Sequence, residues 1–251
     1  MSVVSGPPRA VYTAAVETLA GCVVRFLTGV DDAFGLTGQL DEVESGAAAG
    51  QAGLAAVRVL GSDALVPFLV AGHPLSGSDA EVVELSFRVF PLPEPDLSGE
   101  HDADYVMLVR LLRDWATSEV LRRLGASDFA APYPAGAGAG VGRERGWLAW
   151  AGMLAQLAPL AVPGLDSALH ADVRCYRLDI ARGVTRSMLR RDFLTAARLV
   201  RWLAACGDAP MDPPFSVELV LRQLELVAEP DPRLRLEMAM TRYGLGSAFD
   251  D

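Results

Sequence analysis

Apolar residues recur at Val11, Ala15, Leu19, Val23, Phe26 and Leu27, the spacing of a helix with one buried stripe, and Gly29 stands where such a helix would stop. Residues 46–59 are Ala-rich and read as a second helix, and a short apolar run over residues 63–70 is broken by Pro67. Tyr105, Leu108, Val109, Leu112, Trp115, Ala116 and Val120 share one face of a longer helix, with Asp102 or Asp104 placed to cap its start and Gly125 to close it. In the last hundred residues, Leu169, Val173, Tyr176, Ile180 and Val184 follow near-heptad spacing in one long amphipathic helix. The next begins at Asp192 and turns Leu194, Ala197, Val200 and Leu203 inward. Ser216 caps another, with Leu219, Val220, Leu224 and Val227 apolar. Asp231-Pro232 opens the last, which ends near Tyr243-Gly244. Short joins make such neighbours antiparallel, and no fixed-period repeat is visible.

One stretch departs from the helical period. Leu85, Phe87 and Val89 alternate with Glu84, Ser86 and Arg88, which is strand periodicity. A lone strand cannot stand without a partner, so the alternation predicts either a minor β element near residues 82–90 or the end of a helix. The expected fold class is therefore mainly α, an antiparallel helical bundle or array, with the 82–90 stretch left open between a minor β element and a helix end.

Two connectors divide the chain. Residues 91–101 are Pro-rich and stiff, whereas residues 131–146, APYPAGAGAGVGRERG, are Gly/Ala-rich and flexible. The second marks the expected boundary between a mostly helical, acidic N-terminal part (residues 1–130) and a C-terminal helical array (residues 147–251).

Composition narrows the function more by exclusion than by motif. The chain has no lysine and no asparagine, one isoleucine (Ile180), and all 22 basic residues are arginine. Lysine-based Schiff chemistry, a P-loop lysine and a Cys-His-Asn triad are thereby excluded. The pattern fits a high-GC bacterial genome. Net charge is −10, which argues against a nucleic-acid face. The charge is uneven: residues 1–135 hold 18 acidic and 8 basic residues, the rest 14 of each. The acidic half would suit a basic partner or simply a soluble surface. Cys22, Cys175 and Cys206 have no CxxC spacing and read as small buried hydrophobes in a reducing, cytoplasmic compartment. Residues 146–165 carry no charge and are the one segment where a membrane span is in question. Gln156, Pro159 and Pro163 favour a buried central helix instead.

The candidate chemistry is sparse. Gly136, Gly138, Gly140 and Gly142 fit no phosphate-binding fingerprint and follow a helix rather than a strand, so they read as linker. His73, His101 and His170 show no metal-ligand spacing. His101, Asp102 and Asp104 are the candidate catalytic residues, a histidine tuned by an acidic cluster. The same acids suit a helix start, which is the favoured account. His170 and Asp172, near a helix start, are expected at the surface. Asp31-Asp32-Ala33-Phe34-Gly35 resembles the first half of the aspartate-rich metal motif of class I terpene cyclases, which are also all-helical. The motif's further acidic residue is missing, and its usual second motif needs asparagine, so no residue is assigned from it. Arg190, Arg191, Arg198 and Arg201 form a basic stretch able to hold a phosphate or an acidic partner, with pairing to the chain's own acids favoured. No metal and no cofactor is expected.

Two functions remain. The first is a non-enzymatic protein-interaction protein, an adaptor, regulator or immunity-type inhibitor with a protein partner. The alternative is an all-helical enzyme of small-molecule metabolism, with an apolar cavity and carboxylate and histidine acid–base groups.

Overall fold

The computed structural model describes residues 9–38, 47–72, 74–92, 101–126, 131–134, 137, 140–205, 216–229 and 231–247, with the backbone alone for 47–49 and 101–104. Among them are eleven α-helices and no strand. They are α1 (Arg9–Leu27), α2 (Ala47–Leu60), α3 (Val66–Ala71), α4 (Gly77–Val89), α5 (His101–Arg123), α6 (Trp147–Gln156), α7 (Ala168–Cys175), α8 (Arg177–Leu189), α9 (Phe193–Ala205), α10 (Val217–Val227) and α11 (Pro232–Ser247). Short 3₁₀ turns at Gly61–Leu65 and Ala158–Leu160 join α2 to α3 and follow α6.

The mainly helical expectation holds, and the minor β element near residues 82–90 is absent. Residues 84–89 are the second half of α4, which Ser76 caps by accepting the Asp79 N–H at 3.1 Å. The helix buries Asp79, Ala80, Val83 and Ser86, a spacing of three and four that the alternation of its larger side chains hides. Leu85 and Val89 are exposed and only Phe87 of the alternating set packs against the core, so the apparent strand pattern does not mark one buried face.

A second departure is the long helix expected through Tyr176. The chain leaves helical geometry there, at φ −118° and ψ 33°, and divides into α7 and α8. The Tyr176 ring stands edge-on to Trp150 at 6.1 Å and lies under the Arg143 guanidinium. Apolar spacing carried through the break because both helices bury their stripes in the same core.

α9 is the hub. It packs on α6, α8, α10 and α11, and it buries Trp202, whose Nε1–H donates to the Leu154 carbonyl at 2.8 Å. α1 packs on α2 on one side and on α11 on the other. α5 lies across both 3₁₀ turns. Within residues 146–165, α6 ends before Pro159 and buries Trp150, Met153 and Leu154. Residues 9–27 and 50–71 are long and apolar enough to cross a membrane. The second of these contains Asp63, held in an ion pair described below.

Described residues of the 131–146 connector are anchored. Tyr133 stacks edge-on to Trp115 at 4.8 Å, Ala137 is fully buried, and the Gly140 N–H donates to Asp172 at 2.5 Å. Asp172 and His170 are buried, not at the surface as expected. The short helix α7 turns His170 toward the Ala158–Leu160 turn and Asp172 toward the connector, where each finds polar partners. Cys22 is buried as expected, while Cys175 is exposed.

Gly183 sets how closely α8 approaches α6 and α9. A Cβ there would lie 2.9 Å from both Ala151 Cβ and Leu199 Cδ1. Gly183→Val is expected to destabilise the fold by about 1–3 kcal/mol through overpacking, although valine is the better helix former. A lowered urea midpoint checks this, and an unchanged one would mean that α8 can move away freely.

Candidate functional site

Two surface features stand apart from the core. The first is a groove of about 470 Å³ between the start of α6 and the length of α8. Trp147, Leu178, Ala181 and Leu189 form its apolar floor, and Arg182, Arg186 and Arg190 line one side. The three arginines fall at i, i+4 and i+8, a single row along the helix. Arg182 pairs with Asp179 at 2.9 Å, whereas Arg186 and Arg190 have no carboxylate partner among the described residues. The helix macrodipole favours cations in a last turn, which accounts for some of the row. It does not account for Leu189, which is 82% exposed beside it.

The end of α8 adds a related observation. Three helices end in the same hydrogen-bonded turn, with a residue in the left-handed region. In α1 and α5 that residue is glycine, Gly29 and Gly125. In α8 it is Arg191, at φ 59°, with its N–H donating to Met188 and the Asp192 N–H to Ser187. A side chain there costs about 1 kcal/mol that glycine would not. The chain thus carries a further cation one residue beyond the groove-lining Arg190, against its backbone preference.

The second feature is a cleft of about 620 Å³ where α2, α5, α9 and α11 meet. Its inner wall is a buried ionic network. Arg201 on α9 holds both oxygens of Asp63, at 2.6 and 3.0 Å, and one oxygen of Glu237 on α11, at 3.0 Å. It also donates to the Ala161 carbonyl at 3.1 Å, and Arg198 bonds the other Glu237 oxygen at 3.1 Å. Burial alone would lower the Arg201 pKa. Asp63 and Glu237 more than offset it, so the guanidinium is held above its ordinary value. Two arginines against two carboxylates make this group neutral. On another wall, Arg58 of α2 and Asp114 of α5 form a second neutral pair, bidentate at 2.5 and 2.7 Å, with Arg58 also stacked on Phe87 at 4.5 Å.

Arg110 and Arg113 of α5 and Arg233 of α11 remain. All three line the cleft, and none has a carboxylate within ion-pair distance among the described residues. Arg113 donates to the Val59 carbonyl. Burial first, then repulsion from Arg198, Arg233 and Arg58, holds the Arg113 pKa below its ordinary value against the pull of Asp63. Arg233 is lowered for the same reasons, burial first and Arg198 next, with Glu237 and Asp231 opposing. Unpaired guanidinia from two helices, α5 and α11, therefore line one cleft, with Arg198 of α9 repelling both Arg113 and Arg233.

His101, Asp102 and Asp104 lie in the first turn of α5 rather than before it, and their side chains fall outside the described residues, as do His73 and Cys206. Asp31 pairs with Arg25 at 2.9 Å. Among the described residues no group of three or more His, Cys, Asp or Glu could hold a metal. Of the basic stretch, Arg198 and Arg201 do pair with the chain's own acids, as favoured, while Arg190 and Arg191 have no such partner among the described residues. Sequence reasoning missed the cleft altogether, because its cations come from positions up to 175 residues apart, Arg58 and Arg233. No protein-family model, curated protein or solved structure matches the chain.

Proposed function

We propose that the chain is a non-enzymatic interaction protein whose α8 groove receives an acidic amphipathic helix of a protein partner. The exposed Leu189 beside Arg186 and Arg190, which have no carboxylate partner among the described residues, carries the reading. An apolar floor rimmed by one sign of charge suits a helix with leucine-type anchors on one face and carboxylates along its flank. Soluble chains seldom keep a Leu–Trp floor of this kind exposed without using it. The cleft supports the same class, since each of its three carboxylates is already bonded to arginine and none is free to act as a base.

Leu189→Asp is the test. The side chain is exposed, so the melting temperature should stay within about 2 °C of the parent. Pull-down with the parent bait from the native host should recover one stoichiometric partner, and the Leu189→Asp bait should lose it. A central anchor of this kind accounts for about 2–4 kcal/mol, at least 30-fold in affinity. Equal recovery by both baits would remove the groove from the reading.

A further inference from the structure

We infer that the cleft between α5, α9 and α11 is a binding site for a phosphate group of a small organic molecule, seated among Arg110, Arg113 and Arg233. This goes beyond the partner groove and does not depend on it, because the two sites share no residue.

The argument is one of charge left over. The described acids of the cleft are all spent on Arg58, Arg198 and Arg201, which leaves Arg113 and Arg233 half-buried among like charges and Arg110 exposed at the rim. Like charges brought together out of water are held there at a cost in stability, and a bound anion turns that cost into affinity. The depressed Arg113 and Arg233 pKa values are the electrostatic sign of the same arrangement.

Geometry selects phosphate over a lone carboxylate. A carboxylate is planar and is satisfied by one or two guanidinium forks. Arg110 and Arg113 come from one helix and Arg233 from another, with Arg198 behind them on a third. A tetrahedral oxyanion presents oxygens in three directions and accepts donors arriving that way, and its double negative charge better matches the surplus. Size and lining select a small molecule. At about 620 Å³ the cleft is in the range of sites that enclose drug-sized ligands. Beside the cations on the same two helices, Val106, Val109 and Leu236, with Leu92, supply an apolar lining for the ligand's body.

Pyrophosphate is the probe, with thermal unfolding as the readout and sodium chloride at matched ionic strength as control. At one hundred times Kd, pyrophosphate should raise the melting temperature by about 5–10 °C. Citrate at the same concentration should give a clearly smaller rise. Arg233→Gln should abolish the pyrophosphate shift while leaving the ligand-free protein as stable as the parent or more so, since a repelling cation has gone. A purely structural Arg233 predicts the reverse, a less stable protein. Leu189→Asp should keep the full pyrophosphate response. Three results would overturn the inference: a shift no larger than that of chloride, a citrate shift equal to or above that of pyrophosphate, or an unchanged response in Arg233→Gln.

Discussion

Replacing Arg201 with methionine is expected to lower the melting temperature by about 6–20 °C. The arginine side chain is 1% exposed, and its two acidic partners, Asp63 and Glu237, are nearly as buried. Removing it leaves two carboxylates facing each other in the core, with only Arg198 to serve Glu237 and nothing for Asp63. Breaking a buried ion pair from one side costs about 3–5 kcal/mol, mostly the penalty of the charge left behind. The triple variant Asp63→Asn, Glu237→Gln, Arg201→Met removes the charges together and should recover much of the loss. If the single and triple variants unfold at the same temperature, the penalty is lost packing and the ionic account is wrong.

His170 should make stability fall on mild acidification. Its Nε2 lies 3.2 Å from the Leu160 carbonyl and its Nδ1 2.9 Å from the Ser167 hydroxyl. In the neutral ring, Nε2–H donates to the carbonyl and Nδ1 accepts from the hydroxyl. Trp202 closes over it with ring centroids 5.1 Å apart. Burial lowers the pKa from 6.5 to about 4, against weaker raising influences from the Leu160 carbonyl and Asp166. Between these values the unfolded chain binds a proton that the folded chain does not, so stability is full above pH 6.5 and declines as pH falls toward 4. The displacement corresponds to about 3 kcal/mol. Asp114, whose pKa is raised, mainly by burial, works in the opposite sense. The quantity to measure is therefore the difference between parent and His170→Gln in the unfolding free energy lost from pH 7 to pH 4.5. The parent should lose about 2–3 kcal/mol more. Parallel pH curves would show that His170 is protonated at its usual pH and is not sealed in.

The helical character was legible because it is written locally. The α1 and α9 stripes, the Asp231-Pro232 start of α11 and the Gly125 stop of α5 each depend on residues within a few positions, whereas in α10 the buried pair is Leu221 and Leu224 and the expected Leu219 and Val227 are exposed. Asp231 does accept the Arg233 N–H, at 2.9 Å, and Asp192 the Thr195 N–H, at 3.2 Å. Reading failed where the period of large side chains and the period of burial differ. In α4 the buried set includes small and polar residues, Ser86 and Asp79, that hydrophobicity alone does not mark. It failed again at Tyr176, where an arginine and a tryptophan from elsewhere hold the ring and the backbone bends. His170 was misplaced for the same reason, since its partners Leu160 and Trp202 lie on other elements. The groove lay half in view, as the Arg190-Arg191 end of a basic stretch. The cleft could not be seen, because no local pattern says which arginines will find an acid and which will not.

The place of α1 governs how the chain must be made. Its buried face, Ala15, Val16, Leu19, Ala20, Cys22 and Val23, is covered partly by α2 and partly by α11. α2 follows almost at once, but α11 emerges from the ribosome some two hundred residues later. At ordinary elongation rates that is a wait of about 10–40 s, with an apolar helix half covered. Closure of the first described helix against the last is also a contact between positions some two hundred residues apart, the kind that slows folding. A break in synthesis or a proteolytic cut before residue 232 would therefore uncover sticky surface at the opposite end of the chain, and the truncated product would be prone to aggregate.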